Sequence, residues 1–469
     1  MPTLSTLPIT LWMLFIPLAA IPSLFGGDKA AKYEQEHTTW VYPPWKHTWG
    51  VVRATQTHLT FYSLGTSKFI NPQGLATVRL EATNDPEKKG DDDEVTVYGV
   101  NSGENIIIYN KSMTSLGFYA GENIPDKPLN QPWDIAALPN GLVFLTDAGN
   151  HRVVKLRNLD GELHFETTFG DSDSLQIITP RGIAATDGGR VVVADAGANR
   201  ILLYDTLGVR TGVLEGFDCP VGLAAVDSHS VFTRPPRNYI VVSDSGGGRI
   251  RKLDYHGHIL HEVDVAEVSG LKHPYVGHLE TDIFHNVIAT DSVNCCILKF
   301  DNDLTFLSAW GQKGKGRSRF KGPTGITIWR RFGQTFVAEQ GGAHYLWVGT
   351  DLTHSPSLTV EKGPVIRLRL GLTEKSQITL ELVDKKGNVV RDLSVIRHSG
   401  EQTINWLLNR TRMPLDFDSD EAAHPRKLRP PEAGDYSLRI RLRASYSSRK
   451  AFEKVVETGI TLKPELYQQ

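Results

Sequence analysis

Short apolar runs separated by polar turns recur along the chain from about residue 65 to its C-terminal part. The runs are rich in β-branched and aromatic residues and are bounded by glycine, asparagine and aspartate, which is typical of strands and hairpins. One unit shows the order plainly, with DIAAL, GLVFLT, RVVKL and HFETTF in succession. The pattern predicts an all-β protein built from units of about four strands.

An aspartate recurs in these units with nearly constant spacing. It closes one apolar run and opens a small-residue turn, as in FLTDAGNHRVVKL and VVADAGANRILLY. The four positions, separated by 48, 49 and 47 residues, are Asp147, Asp195, Asp244 and Asp291. A period near fifty made of short strands indicates a radial array in which every repeat forms one small sheet.

The repeat aspartates are expected to be structural. An aspartate accepts backbone N–H groups in a turn. In three units an arginine follows five residues later, at Arg152, Arg200 and Arg249. This spacing allows a local Asp–Arg pair, and such a pair would contribute only about 0–1 kcal/mol if it were exposed.

A proline-containing turn precedes each unit. The six entry prolines are Pro72, Pro132, Pro180, Pro220, Pro274 and Pro323. The pattern P-x-G-[IL]-A, followed by [VA]-x-D-x-G-x-x-R-[IV], resembles the NHL repeat family of six-bladed propellers. The resemblance covers residues 65–350 and implies a six-bladed β-propeller, with seven blades as the alternative. The segment from Trp49 to Leu64 is expected to complete the last blade and to remove the open sheet edges.

Three units depart from this pattern. The first has Val100 or Asn101 at the aspartate position, and the sixth has Glu339 there. The fifth has Cys296 in place of the arginine.

The pattern changes after residue 350. Residues 351–362 form a polar linker, and residues 363–463 contain alternating strand segments without a helical period, which predicts a β-sandwich. The segments VDKKGNVVRDL, INWLLNRT and RPPEAGDYSLRIRL resemble the immunoglobulin-like (Ig-like) domain of flagellar hook-capping proteins. The resemblance implies a spacer or docking module with Trp406 in its core.

The N-terminal segment bears on localisation. Residues 7–25 are apolar and uncharged, so residues 1–27 are predicted to be a signal peptide or an N-terminal anchor, and residues 28–48 an extension before the propeller at 49–350. We expect a secreted, periplasmic or cell-surface protein, with membrane contact only if this segment is retained. The formal net charge of −2 gives no reason to expect a nucleic-acid partner.

Residues after the entry prolines would line the mouth of the central tunnel, where we expect any ligand. The candidates are Gln73, Trp133, Asp134, Arg181, Tyr275, His278 and Thr324. Peptidyl-amidating lyases have a similar repeat with zinc-binding histidines in several blades, whereas only the fifth unit here offers histidines, His273 and His278. Related hydrolases need acidic residues from several inner strands, and the candidates for that role are Asp134 and Glu280.

Two acidic clusters are candidate calcium sites, and no other cofactor is predicted. One cluster comprises Asp91, Asp92 and Asp93, and the other comprises Asp416, Asp418 and Asp420. The second cluster lacks the glycine that a calcium loop carries at its sixth position, where Glu421 stands. Solvated acidic loops are the alternative interpretation of both clusters.

These observations favour an exported, non-catalytic binding or scaffold protein that presents a propeller disc to a protein, peptide or glycan partner. One alternative is a propeller lyase or hydrolase with a metal at the central tunnel. Another is a structural subunit of a cell-envelope or surface assembly. The repeat itself does not decide among them, because propellers support many functions.

Overall fold

The computed structural model describes residues 32–33, 36–48, 51–83, 94–112, 115–125, 127–171, 175–230, 232–410 and 428–467. Strands dominate these residues, and the helices are short. None of the described helices is long and apolar enough to cross a bilayer.

The first half of the propeller contains three sheets of four antiparallel strands. Sheet 1 consists of Pro72–Val78, Thr96–Asn101, Ile106–Ser112 and Ser115–Tyr119. Sheet 2 consists of Pro132–Ala137, Leu142–Asp147, Arg152–Leu159 and Glu162–Phe169. Sheet 3 consists of Pro180–Ala185, Arg190–Asp195, Arg200–Asp205 and Arg210–Leu214.

The second half continues the same strand order. Sheet 4 consists of Gly222–Val226, Tyr239–Asp244, Arg249–Leu253 and Ile259–Asp264. Sheet 5 consists of Val276–Thr281, Val287–Asp291, Cys296–Phe300 and Phe306–Trp310. Sheet 6 contains Pro323–Trp329, Gln334–Glu339 and Gly342–Val348, and two N-terminal strands complete it.

The sheets form a closed ring. The first strand of each sheet contacts the first strand of the next sheet, and that of sheet 6 contacts that of sheet 1. At this last junction the backbones are so close that a Cβ on Gly325 would lie 2.2 Å from the carbonyl oxygen of Gln73. The predicted all-β propeller is confirmed, and six sheets form its ring in the described part of the chain.

Two N-terminal strands close sheet 6 on its outer edge. Trp40–Val41 pairs with Val348 and Trp347, and Arg53–Thr55 pairs with the segment from Gly342 to His344. Arg53–Thr55 supports the prediction that the segment from Trp49 to Leu64 completes the last blade, whereas Trp40–Val41 lies in the stretch predicted to be an extension before the propeller. Gln56–Tyr62, however, is a helix and not a strand, because Thr55 and His58 form a reciprocal capping box at its first turn.

The repeat aspartates are fully buried, so their ion pairs are not of the weak exposed kind. Asp147 is fully buried, accepts the Asn130 N–H at 2.7 Å and pairs with Arg152 at 2.9 Å. Asp244 pairs with Arg251 at 2.8 Å instead of with Arg249, which bonds to Glu262 on the neighbouring strand. These carboxylates tie each entry turn to the second and third strands of its own sheet.

Where the repeat aspartate is replaced, the substituting side chain still accepts a backbone N–H group of the entry turn. Asn101 in sheet 1 accepts the Ile70 N–H at 2.9 Å, and Glu339 in sheet 6 accepts the Lys321 N–H at 2.6 Å. Glu339 also pairs with Arg53 from the N-terminal strand. The sixth repeat has no arginine of its own to pair with this acid, and Arg53 from the N-terminal strand takes that place.

The C-terminal unit is a sandwich of two sheets around one core. Its strands are Ser357–Glu361, Val365–Leu372 and Gly400–Leu407 in one sheet, and Val389–Arg397, Ser376–Val383, Gly434–Ala444 and Lys454–Leu462 in the other. Trp406 lies in this core, as predicted. The first strand falls within the segment predicted to be a linker. The resemblance to the Ig-like domain of hook-capping proteins remains a prediction.

The sandwich is packed against the propeller. Lys299 of sheet 5 donates to Glu374, and both side chains are fully buried. The Tyr446 side chain packs in an apolar cluster with residues of sheets 5 and 6, and its hydroxyl accepts the Ile283 N–H at 3.3 Å. A buried ion pair and a shared apolar cluster hold the two units in one arrangement.

The remaining elements are short. The helices Trp45–Thr48 and Val265–Ser269 and the parallel pair Gln312–Lys313 with Arg319–Phe320 lie in the propeller. The single-turn 3₁₀ segments are Glu81–Thr83, Ser102–Glu104, Ala148–Asn150, Ala196–Ala198, Ser245–Gly247, Ser447–Lys450 and Pro464–Tyr467.

We predict that Asp147→Ala lowers the free energy of unfolding by about 3 kcal/mol, because it leaves the buried Arg152 without its carboxylate. Urea unfolding followed by tryptophan fluorescence measures the change. The exposed Glu215→Ala should change it by less than about 0.5 kcal/mol. A loss of under about 1 kcal/mol for Asp147→Ala would contradict a structural role for the buried pair.

Candidate functional site

The innermost strands approach one another most closely near the entry prolines. Four sheets have glycine at the equivalent position, immediately before a leucine or isoleucine of the first strand: Gly74, Gly182, Gly222 and Gly325. A Cβ on Gly182 would lie 2.7 Å from the Val221 carbonyl oxygen, so a larger residue there would displace backbone. The same position is Asp134 in sheet 2 and His278 in sheet 5.

Asp134 and His278 meet across the axis, because sheets 2 and 5 stand opposite each other in the ring. Asp134 Oδ1 lies 3.8 Å from His278 Nε2, and both side chains are buried. Asp134 also accepts the N–H groups of Ile135 at 2.9 Å and Ile183 at 3.1 Å. The pair closes the channel at the level of the glycines.

Burial sets the protonation of this pair. It raises the pKa of Asp134 to about 8, opposed by the two backbone N–H groups. It lowers the pKa of His278 to about 4. Neither ring nitrogen of His278 makes a side-chain hydrogen bond of normal geometry. The backbone of Trp133 opposes the effect of burial on the His278 pKa.

The other predicted tunnel-mouth residues pack over this closure. The Arg181 guanidinium lies 3.9 Å from the centre of the Trp133 ring, and that ring stacks on His278 at 6.0 Å. Gln73 donates to Asn71 at 2.8 Å, and Thr324 donates to the Pro72 carbonyl at 2.8 Å. Burial raises the pKa of Tyr275. The structure thus brings together Trp133, Asp134, Arg181 and His278, whereas Gln73 bonds to a neighbouring side chain and Thr324 to a backbone carbonyl.

The larger opening lies at the other end of the channel, where the innermost strands finish. We call it the exit cavity. It has a volume of about 330 Å³ and is lined by residues that include Glu81, Asp187, Phe232, Glu280, Trp329 and Arg330. A second cavity of about 80 Å³ lies on the axis between this opening and the Asp134–His278 pair. Thr77, Ala137, Ala185, Glu280 and Arg330 line both cavities.

An ion pair marks the boundary between the two cavities. Arg330 donates to Glu280 Oε1 at 2.9 Å and to the Thr281 carbonyl at 2.9 Å. Burial opposes the charge of Arg330, but Glu280, Tyr239 and Asp187 raise its pKa. The bonds to Glu280 and to the Thr281 carbonyl hold the guanidinium in a fixed orientation at the inner wall.

The rim of the exit cavity combines carboxylates with aromatic rings. Partial burial raises the pKa of Asp187, opposed by Arg330, and Asp227 and Glu81 raise it further. Phe232 and Trp329 meet edge to face with ring centres 5.3 Å apart. Aromatic walls with a few oriented polar groups are characteristic of ligand cavities.

The two acidic clusters predicted to bind calcium cannot be compared with the described structure. Asp91, Asp92, Asp93, Asp416, Asp418 and Asp420 lie outside the described residues. Within the described ranges, no group of three or more histidine, cysteine, aspartate or glutamate side chains is placed to hold a metal ion. His273 is exposed and has a positive φ of 46°.

Comparisons with known proteins place one repeat in a family. The NHL repeat model matches residues 129–156, which span the first two strands and most of the third strand of sheet 2. The search of curated proteins found no significant match.

Two similar solved structures are a lyase and a gluconolactonase. Virginiamycin B lyase from Staphylococcus aureus is 15% identical, with 54% of this chain and 76% of that chain covered and a TM-score of 0.40. A gluconolactonase from Xanthomonas campestris is 12% identical, with 63% and 94% covered and a TM-score of 0.43. Similarity at this level does not define the activity of this chain.

Of the exit-cavity residues, the sequence predicts only Glu280 as a candidate. The others that matter, Asp187, Phe232, Trp329 and Arg330, lie at or beyond the ends of the innermost strands, whereas the remaining candidates lie near the starts of these strands. The substitution of Asp134 and His278 for a repeat glycine is visible in the sequence, once the extra residue in HPYVGHL is allowed for.

We predict that Asp134 makes the stability of the protein fall between about pH 6.5 and 8. The folded state raises the Asp134 pKa to about 8 and so keeps a proton that the unfolded chain has already lost. Relative to Asp134→Asn, the free energy of unfolding should fall by up to about 1.4 kcal/mol per pH unit from about pH 4 to 8, because His278 is present in both proteins. In the stability curve of the wild type alone, the lowered His278 pKa opposes this trend below about pH 6.5, since His278 makes stability fall there as pH falls.

Urea unfolding of both proteins at several pH values measures this difference. The subtraction removes the contributions of other buried groups, such as Glu374, whose pKa burial raises. Parallel stability curves for the two proteins would show that Asp134 ionises normally.

Proposed function

We propose that this protein is an exported, non-catalytic binding protein whose propeller holds part of a protein, peptide or glycan partner in the exit cavity. The observation that carries the proposal is the 330 Å³ opening with a fixed Glu280–Arg330 pair at its inner wall. Phe232 and Trp329 supply an apolar wall, and Asp187 supplies a carboxylate at the rim. Such a mixture binds and orients a ligand.

The size of the cavity limits how much of a partner can enter it. A volume of about 330 Å³ is near the lower end of the range for ligand cavities. It suits one side chain, a chain terminus or one small residue of a larger partner. The rest of such a partner would lie across the face of the disc around the cavity.

The sandwich supports this role as a rigid mount. Its contact with the propeller includes the buried Lys299–Glu374 pair and a bond from the Ser399 hydroxyl to Asn286 Oδ1 at 2.8 Å. Residues of this contact come from sheet 5, which also supplies Glu280 to the cavity. A mount of this kind would hold the binding face in a fixed orientation relative to the next attachment point.

The enzyme alternative rests on a different observation. Asp134 and His278 are a buried acid and base with strongly shifted pKa values, and such pairs concentrate at catalytic sites. A lyase or hydrolase would require these two residues for turnover. A binding protein would depend instead on the rim of the exit cavity.

We predict that Trp329→Ala weakens partner binding by about thirtyfold or more, because a tryptophan in a cavity wall carries a large share of the binding energy. The full chain, purified with its native ligand or presented with an extracellular peptide and glycan library, is compared with the variant by native mass spectrometry and titration calorimetry. The matched control is Trp45→Ala, since Trp45 is 68% exposed and lies outside the cavity.

Equal binding by Trp329→Ala and Trp45→Ala would refute the exit cavity as the binding site. Turnover of a bound ligand that is abolished by both Asp134→Asn and His278→Gln would favour the enzyme alternative.

A further inference from the structure

The two cavities form one tapering shaft. They share five lining residues, and the axial cavity ends at Asp134 and His278. Between this closed end and the exit cavity, the lining residues are mainly alanine, leucine and isoleucine, including Ala76, Ala136, Ala184 and Ala224, whose side chains pack in the apolar clusters between the sheets. The shaft is therefore narrow, and the surface that it exposes to a guest is mainly polar.

The closed end offers acceptors to a guest. Asp134 provides a carboxyl group, and neutral His278 provides one acceptor nitrogen, since its pKa is lowered to about 4. Oδ1 of Asp134 and Nε2 of His278 are 3.8 Å apart, which is too far for a direct hydrogen bond. One donor-rich atom placed between them could bond to both.

A primary ammonium group has this capacity. It carries three N–H donors and no acceptor, whereas a hydroxyl has one donor and a quaternary ammonium has none. An ammonium group would also neutralise the charge of an ionised Asp134 inside the channel, where an unpaired carboxylate is costly. The narrow shaft leaves space for an unbranched stem but none for a bulky head group.

The length of the shaft agrees with such a guest. Glu280 follows His278 by two residues on the same strand, so the ion pair with Arg330 stands about 7 Å nearer the opening. This distance matches an extended stem of about four or five methylene groups, as in a lysine side chain.

The charges around the opening favour a cation. Glu81, Asp187 and Glu280 line the exit cavity with Arg330 as their one cationic neighbour in the described lining. Arg330 is bonded to Glu280 and to the Thr281 carbonyl. The net negative field would attract an amine toward the shaft.

We propose that the shaft binds a primary amine on an unbranched aliphatic stem, with the ammonium group between Asp134 and His278. The amine is a lysine side chain of a partner protein or a free alkylamine. This inference rests on the proposed function, because it identifies the group that the exit cavity admits.

The test is titration calorimetry of the full-length protein with 1-aminopentane and with 1-pentanol, which has the same stem without the charge. We expect the amine to bind at least about tenfold more tightly than the alcohol. Asp134→Asn should abolish this difference. Asp134→Gly, which places there the residue found in four other sheets, is a second variant that the fold should tolerate. Glu215→Gln, an exposed carboxylate outside both cavities, should behave as wild type.

The affinity should also depend on pH. Binding requires ionised Asp134, whose surroundings include His278 and Glu280 from sheet 5, Arg330 from sheet 6 and Arg181 from sheet 3. Affinity for 1-aminopentane should therefore rise up to about tenfold per pH unit from about pH 6 to 8, while the amine itself stays protonated.

Two further ligands distinguish the sources of the amine. Nα-acetyl-lysine amide should bind and Nα-acetyl-norleucine amide should not if the guest is a lysine side chain. If the shaft takes only free amines, 1-aminopentane binds and the lysine derivative does not. Equal binding of amine and alcohol, or unchanged amine binding in Asp134→Asn, would overturn the inference. If the amine inference failed in this way but Trp329→Ala still impaired partner binding, the proposed function would stand.

Discussion

The close approach of the six innermost strands at the axis is the constraint on which the rest of the structure depends. Glycine at four of six equivalent positions lets neighbouring backbones lie against one another, as Gly182 does against Val221. This leaves the axis open to only two side chains, Asp134 and His278. The same contraction closes one end of the channel and directs the accessible volume to the other end.

Buried charges serve two purposes in this protein. In the repeat turns, aspartates are paired and accept backbone N–H groups, so their burial stabilises the sheets. On the axis, Asp134 lacks a cation at bonding distance, and burial raises its pKa to about 8. A carboxyl group kept partly protonated in this way is a group whose charge a guest can change.

The ring is closed by residues distant in sequence. The N-terminal strand pairs with Gly342–Val348, and its Arg53 neutralises Glu339, which replaces the repeat aspartate in the last sheet. The substitution at Glu339 and the position of Arg53 are therefore parts of one arrangement. Glutamate, which is longer than the repeat aspartate, occurs in the sheet where the paired arginine comes from the N-terminal strand and not from the third strand of the same sheet.

The sequence by itself determined the strand periodicity, the repeat turns and the all-β ring, because aspartate spacing and entry prolines act locally within each unit. It also indicated Asp134 and His278 as candidates. Only the tertiary structure decided that these two residues meet, that the aspartates are buried, and that Asp187, Phe232, Trp329 and Arg330 share a cavity at the opposite end. These facts depend on which sheets face each other across the axis, and ring closure alone sets that geometry.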